Sequence, residues 1–130
     1  MASIFTKIIN GEIPCYKIAE NDNFIAFLDV NPLKLGHTLI VPKIELDYIF
    51  NNSDETLSEI LVFSKKIAKA IEKTVNCSRI AITVIGLEVP HTHIHLIPIN
   101  KEAEMSFSNP RLKLTNQDFI DILDKIKGNL

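Results

Sequence analysis

Hydrophobic positions change their period along the chain, and the changes divide it into elements. Phe5, Ile8 and Ile9 recur at helical spacing for about one turn before Gly11 and Pro14 end the pattern, which predicts a short helix followed by a turn. Three runs rich in β-branched and aromatic residues come next: Tyr16 to Ala19, Asn23 to Asp29 and Thr38 to Val41. Asn21-Asp22, Asn31-Pro32, Gly36 and Pro42 punctuate them, so three consecutive strands are predicted. From Asp54 to Val75 the period becomes helical, with Leu57, Ile60, Leu61, Ile67, Ala68, Ile71 and Val75 near one face. Glu55 lies early and Lys65, Lys66, Lys69 and Lys73 late, as the helix dipole favours, with Asn52 or Ser53 as the cap. Arg79 to Ile85 and His93 to Ile99 return to a strand pattern, joined by the short segment Gly86 to Pro90. Thr115 with Asp118, then Phe119, Ile122, Leu123 and Ile126 before Gly128, predict a capped and terminated amphipathic helix.

Strands thus come in runs and do not alternate with helices. The order predicts an α+β fold made of one domain over residues 1–130, with a mainly antiparallel sheet of about five strands, one long helix, a short N-terminal helix and a C-terminal helix. A chain of 130 residues is long enough to bury a core without disulfide or metal staples. Hydrophobic residues at 46% and charged residues at 23% exclude intrinsic disorder. A net charge of −2 with no basic block argues against extended nucleic acid as a partner. No run reaches the roughly 18 apolar residues of a membrane span, and Met1 to Lys7 lacks the pattern of a signal peptide, so a cytoplasmic protein without membrane partners is expected. Cys15 and Cys77 have no paired spacing and are expected to be ordinary packed thiols.

Only four histidines occur, and three of them fall within five residues. In a strand, His91-Thr92-His93-Ile94-His95-Leu96 sends the three imidazoles to one face and Thr92, Ile94 and Leu96 to the other. As packing residues alone, three imidazoles in register would be costly to desolvate. As metal ligands, His91 and His95 would stand about 13 Å apart on a strand rising ~3.3 Å per residue, so one ion with bonds of ~2.0–2.1 Å cannot hold all three unless the strand bends. Carboxylates or His37 would then complete the ligand set. As phosphate-handling groups, one neutral imidazole attacks phosphorus while its neighbours donate hydrogen bonds, a task suited to a side chain that titrates near neutrality. The last reading employs every histidine.

The segment His91 to Ile97 resembles the His-x-His-x-His motif of the histidine-triad (HIT) family of nucleotide hydrolases and transferases. Ile4 to Pro14 is similar to that family's opening helix. Phe27-Leu28-Asp29-Val30-Asn31-Pro32 resembles its aromatic-x-Asp-apolar-x-Pro segment, and Gly36-His37-Thr38-Leu39-Ile40-Val41-Pro42-Lys43 its Gly-His strand. The resemblance implies a hydrolase acting at the α-phosphate of a nucleoside phosphoramidate or dinucleoside polyphosphate, of the phosphoramidase-like branch. It implies that His93 attacks phosphorus and carries a covalent nucleotidyl group, that the carbonyl of His91 orients His93, that His95 contacts the phosphate and that His37 completes the set. Asp29 is implied as the ribose ligand and Ile4, Phe5, Ile8, Phe27 and Val30 as the base pocket. A purine nucleotide or nucleotide conjugate is the implied partner, homodimers are the implied assembly, and no cofactor or catalytic metal is implied.

Two departures qualify what is carried over. Val84 to Pro90 lacks the Gln and hydroxyl residues that many relatives place before the triad, which raises the alternative of a purine nucleotide-binding module with weak or no turnover. Ser3 and Thr6 stand where some bacterial relatives carry zinc-binding cysteines, with Glu45 near the place of a histidine, so a zinc site is not expected. Residues 101–113 match no pattern, and Lys101 to Arg111 is expected to form a loop near the site or a contact between copies.

Overall fold

The computed structural model describes residues 2–130. Its elements are α1 (Ile4–Ile9), β1 (Lys17–Glu20), β2 (Phe24–Leu28), β3 (Thr38–Pro42), α2 (Asp54–Thr74), β4 (Arg79–Thr83), β5 (Ile94–Ile99) and α3 (Asn116–Gly128), with single 3-10 turns at Ile49–Asn51 and Glu102–Met105. All strand pairs are antiparallel, in the order β1-β2-β3-β5-β4. The α+β architecture with five strands and three helices is therefore the one expected from the hydrophobic pattern.

Both faces of the sheet are covered, which explains why β2 and β3 read as continuous apolar runs. Phe24, Ala26, Leu28, Ile40, Ile94 and Leu96 point to one side and meet Ile60, Ile67 and Ile71 of α2 and Phe119, Ile122 and Ile126 of α3. Ile25, Phe27, Leu39 and Val41 point to the other side and meet Phe5 of α1. Ser53 caps α2 through a hydrogen bond from the amide of Thr56, and Thr115 and Asp118 form the capping box of α3. Among the described residues no helix is long and apolar enough to cross a membrane.

Strand boundaries differ from the sequence expectation by one or two residues, and those of β5 and β4 bear on the site. Strand β5 begins at Ile94, because the amide of His91 donates to Val89 O at 2.8 Å and that of Thr92 to Leu46 O at 2.6 Å, which directs this stretch to loops instead of the sheet. Strand β4 ends at Thr83, which pairs with His95, and so Ile85 continues as loop. Register then fixes the site: Phe27 pairs with Leu39, Leu39 with His95, and His95 with Thr83, so these four lie in one row across the sheet.

Candidate active site

The loop from β2 to β3 places two of the polar groups. Gly36 adopts φ +94, a conformation that disfavours any side chain, and a Cβ there would meet Val75 Cγ2 at 3.2 Å. The turn delivers His37 to the start of β3, where its carbonyl accepts the amide of Asp29 at 2.9 Å. Asp29 Oδ1 accepts the amide of Asn31 at 2.8 Å, and its Oδ2 lies 3.5 Å from Nε2 of His37. Burial pushes the Asp29 carboxyl above its ordinary value, opposed by the Asn31 amide and by the charge of Arg111.

Main-chain groups set the tautomers of His37, His91 and His93, and His37 in turn sets that of His95. The amide of Leu33 donates to Nδ1 of His37 at 3.0 Å, so Nε2 of the neutral ring carries the proton. That Nε2–H donates to Nδ1 of His95 at 2.9 Å, which leaves Nε2–H of His95 as a free donor. Nδ1–H of His93 donates to the carbonyl of His91 at 2.7 Å, so the lone pair of a neutral His93 resides on Nε2. Nε2–H of His91 donates to Pro42 O at 2.7 Å, and its Nδ1 accepts from the hydroxyl of Ser3 at 2.7 Å. Burial, with the neighbouring His95 and Arg111, lowers His37 to about 3. Burial, with His93 and Arg111, lowers His95 to about 4, so both rings are neutral at pH 7. Burial also holds His91 below its ordinary value.

His93 and His95, with Asp29, face a cavity of about 470 Å³. His93, His95, Asp29, Phe27, Val30, Ile4, Phe5 and Ile8 all line it. His91 and His37 do not: they are 0% and 1% exposed and stand behind the lining rings. His91 is enclosed by Ser3, Pro42 and the edge of Phe5, and it lies before β5 begins, so a single strand does not carry all three imidazoles as the alternation predicted. Phe5 also meets His93 edge-on at 4.9 Å, and His93 meets His95 at 5.0 Å.

The cavity has walls that the sequence patterns did not assign. Phe107 and Arg111, from the stretch 101–113 that matches no sequence pattern, close one end. Phe107 lies edge-on to His95 at 4.9 Å, and the guanidinium of Arg111 sits 5.2 Å from the Phe107 ring centre. Cys15 also lines it, as do Ile85, Gly86, Leu87, Glu88 and Val89. Leu39 was legible as the inward neighbour of His95 only once register was known. Behind the triad, Asn52 Nδ2 donates to the Thr92 hydroxyl at 3.0 Å, tying the histidine stretch to the residue that precedes the cap of α2.

Ser3, Thr6 and Glu45 form a hydrogen-bonded cluster. Glu45 Oε1 accepts from the Ser3 amide and from the Thr6 hydroxyl, each at 2.6 Å, and these bonds hold its carboxyl down at about 2. A different trio, Asp29, His37 and His95, brings one ligand atom each within 4.8 Å of the others. The proton shared between His37 Nε2 and His95 Nδ1 occupies the nitrogens a metal would need, so this trio suits hydrogen bonding in its present form.

Residues 10–102 match the HIT domain family. The chain belongs to the HIT family. Its relatives include the adenosine 5'-monophosphoramidase hnt1 of Schizosaccharomyces pombe, 33% identical over 132 residues that cover 100% of this chain and 99% of that protein. An uncharacterized HIT-like protein of Borreliella burgdorferi is 36% identical over 135 residues, covering 98% of this chain and 97% of the other. Among solved structures, a HIT-like protein from Bartonella henselae superposes with a TM-score of 0.84 at 29% identity, over 98% of this chain and 96% of that one. The matched span of this HIT chain ends at residue 102, so Phe107 and Arg111 build their end of the cavity outside it.

Proposed function

We propose that this HIT protein is a nucleotide hydrolase that transfers a nucleoside monophosphate group from an amine or phosphate leaving group onto Nε2 of His93 and then onto water. The observation that carries the reading is the hydrogen bond from Nδ1 of His93 to the carbonyl of His91 at 2.7 Å, which leaves Nε2 of a cavity-lining ring free for attack. When Nε2 bonds to phosphorus the ring becomes cationic, and the carbonyl that accepts Nδ1–H then stabilises the charge. Nε2–H of His95 donates to a non-bridging α-phosphate oxygen. Asp29 accepts hydrogen bonds from the ribose hydroxyls, and Ile4, Phe5, Ile8, Phe27 and Val30 enclose the purine. Relatives named adenosine 5'-monophosphoramidase and adenylylsulfatase support this class of chemistry.

The test is hydrolysis of adenosine 5'-phosphoramidate by wild type and His93→Ala, with mass spectrometry of acid-sensitive adenylyl-histidine. Turnover lost in the variant and an adduct trapped on His93 are expected. The absence of Gln and hydroxyl residues from the loop that lines the cavity at Ile85 to Val89 favours a second reading, a purine nucleotide-binding module. Tight AMP binding by a wild type that turns over no nucleotide substrate would establish that reading in place of the first.

We also infer a cytoplasmic homodimer, joined through α2 and the edge strand β4, where Leu61, Val62 and Ile82 are 58%, 71% and 49% exposed. Neither a metal nor a cofactor enters the proposed reaction.

A further inference from the structure

The segment after β5 folds back along the cavity and is fastened to the loop that carries Asp29 and His37. Glu104 accepts from Lys34 Nζ at 2.6 Å, and from the amides of Asn100 and Lys101 at 2.6 and 2.9 Å. The amide of Leu112 donates to Pro32 O at 2.8 Å, and Nη1 of Arg111 donates to Asn31 O at 2.7 Å. Pinned in this way, Arg111 is the only lysine or arginine lining the cavity among the described residues, where the other charged groups are Asp29 and Glu88.

The rings form an ordered row: Phe5 against His93, His93 against His95, His95 against Phe107, and Phe107 beneath Arg111. One end of the row is apolar and the other ends in a cation. A nucleotide with its base at the Phe5 end and its α-phosphorus at Nε2 of His93 directs the group beyond phosphorus past His95 toward Arg111. One guanidinium N–H is used by Asn31 O; the remaining donors form a fork that matches a phosphate.

We propose that Arg111 binds the departing oxyanion and makes this protein select nucleotidyl substrates with a phosphate leaving group over those with an amine leaving group. The proposal rests on the reading of His93 as nucleophile. The Nε2–phosphorus bond forms as the bond from phosphorus to the bridging oxygen breaks, and the electron pair departs on that oxygen, whose charge meets Arg111. No proton is needed for that departure. A phosphoramidate differs: its nitrogen leaves with the electron pair, takes a proton from solvent and departs neutral, so the cation is of little use to it. In both cases water then displaces His93 from phosphorus, releases its proton to solvent and frees the nucleoside monophosphate.

Diadenosine tetraphosphate and adenosine 5'-phosphoramidate deliver the same adenylyl group and differ in what leaves. In full-length protein, Arg111→Ala is expected to lower kcat/KM for the tetraphosphate about 30-fold more than for the phosphoramidate. Arg111→Lys, which keeps the charge and loses the fork, is expected to fall between. Inorganic triphosphate should inhibit wild type competitively and Arg111→Ala at least 10-fold more weakly. A change in the ratio of the two kcat/KM values below 3-fold in both variants overturns the proposal, whether the losses are large or small. Failure of the underlying reading looks different: His93→Ala would keep its turnover, whatever happens at Arg111.

Discussion

Nε2 of His37 and Nδ1 of His95 lie 2.9 Å apart, in rings that are 1% and 7% exposed. The pair is neutral and stays so well into acid, because burial holds His37 at about 3 and His95 at about 4 against an ordinary 6.5. An unfolded chain takes up those protons below about 6.5, while the folded one resists until near 4. Stability is therefore fully present above pH 6.5 and declines as the pH falls toward 4. Thermal melts followed by circular dichroism are expected to show Tm dropping across this window. His37→Gln, which keeps an acceptor and a donor but cannot titrate, should melt lower at pH 7 and show a shallower decline; equal slopes would refute the assignment.

Ser3 is expected to matter for stability and for rate together. Its hydroxyl is the donor to Nδ1 of His91, a ring with no exposure, so Ser3→Ala leaves a buried acceptor unpaired at a cost of about 1–3 kcal/mol. The carbonyl of the same His91 holds His93, and a looser His91 should lower kcat more than it raises KM. Denaturant unfolding and steady-state kinetics on one preparation measure both. A variant as stable as wild type would show that the Ser3 bond contributes nothing.

Asp29 tests the sugar end of the cavity. Replacing it with alanine should weaken AMP about 10- to 100-fold, the scale of two hydrogen bonds to a charged acceptor. Calorimetry with 2',3'-dideoxyadenosine monophosphate supplies the control: this ligand should bind wild type weakly and lose little more in Asp29→Ala. Equal losses for both nucleotides would move Asp29 out of the ribose site.

Gly36→Ala is expected to cost about 1–3 kcal/mol, since alanine disfavours φ +94 and its methyl would press on Val75. Because the same turn sets His37, activity should fall further than the lower Tm explains at 25 °C. Retention of full stability would mean the turn relaxes at no cost.

The dimer inference makes a hydrodynamic prediction. Sedimentation velocity of wild type should give twice the 14.7 kDa chain mass, and Leu61→Lys with Ile82→Lys should give the single chain. A wild type that sediments as one chain at high micromolar concentration would rule the interface out.

The elements of the fold were legible because both of their periods are strong. Ile60, Ile67 and Ile71 of α2 and the alternation around Ile94 and Leu96 each point to a buried face, although Leu61 of the expected stripe is exposed, and caps at Ser53 and Thr115 sit where the pattern changes. His91, His93 and His95 were legible as a cluster from local spacing alone, whereas His37 and Asp29 were expected beside them only through the resemblance to the HIT family. What escaped was whatever depends on distant segments meeting. His91 was expected on one strand face with the other two rings, and what the sequence did not reveal is its enclosure by Ser3 and Pro42, 88 and 49 residues away. Phe107 and Arg111 carry no periodic signal because they lie in an irregular stretch held by hydrogen bonds to Asn31 and Pro32.

Three of the four imidazoles are anchored by main-chain atoms, at Leu33, Pro42 and His91. Protonation of these three rings is consequently a property of backbone geometry, and that of His95 follows from His37. The vulnerable bonds are the two that cross between the β3 and β5 stretches, from His91 to Pro42 and from His37 to His95. A rise in temperature that only loosens this seam will scramble the tautomers while the two hydrophobic layers remain intact, so catalysis should fade several degrees before the protein melts.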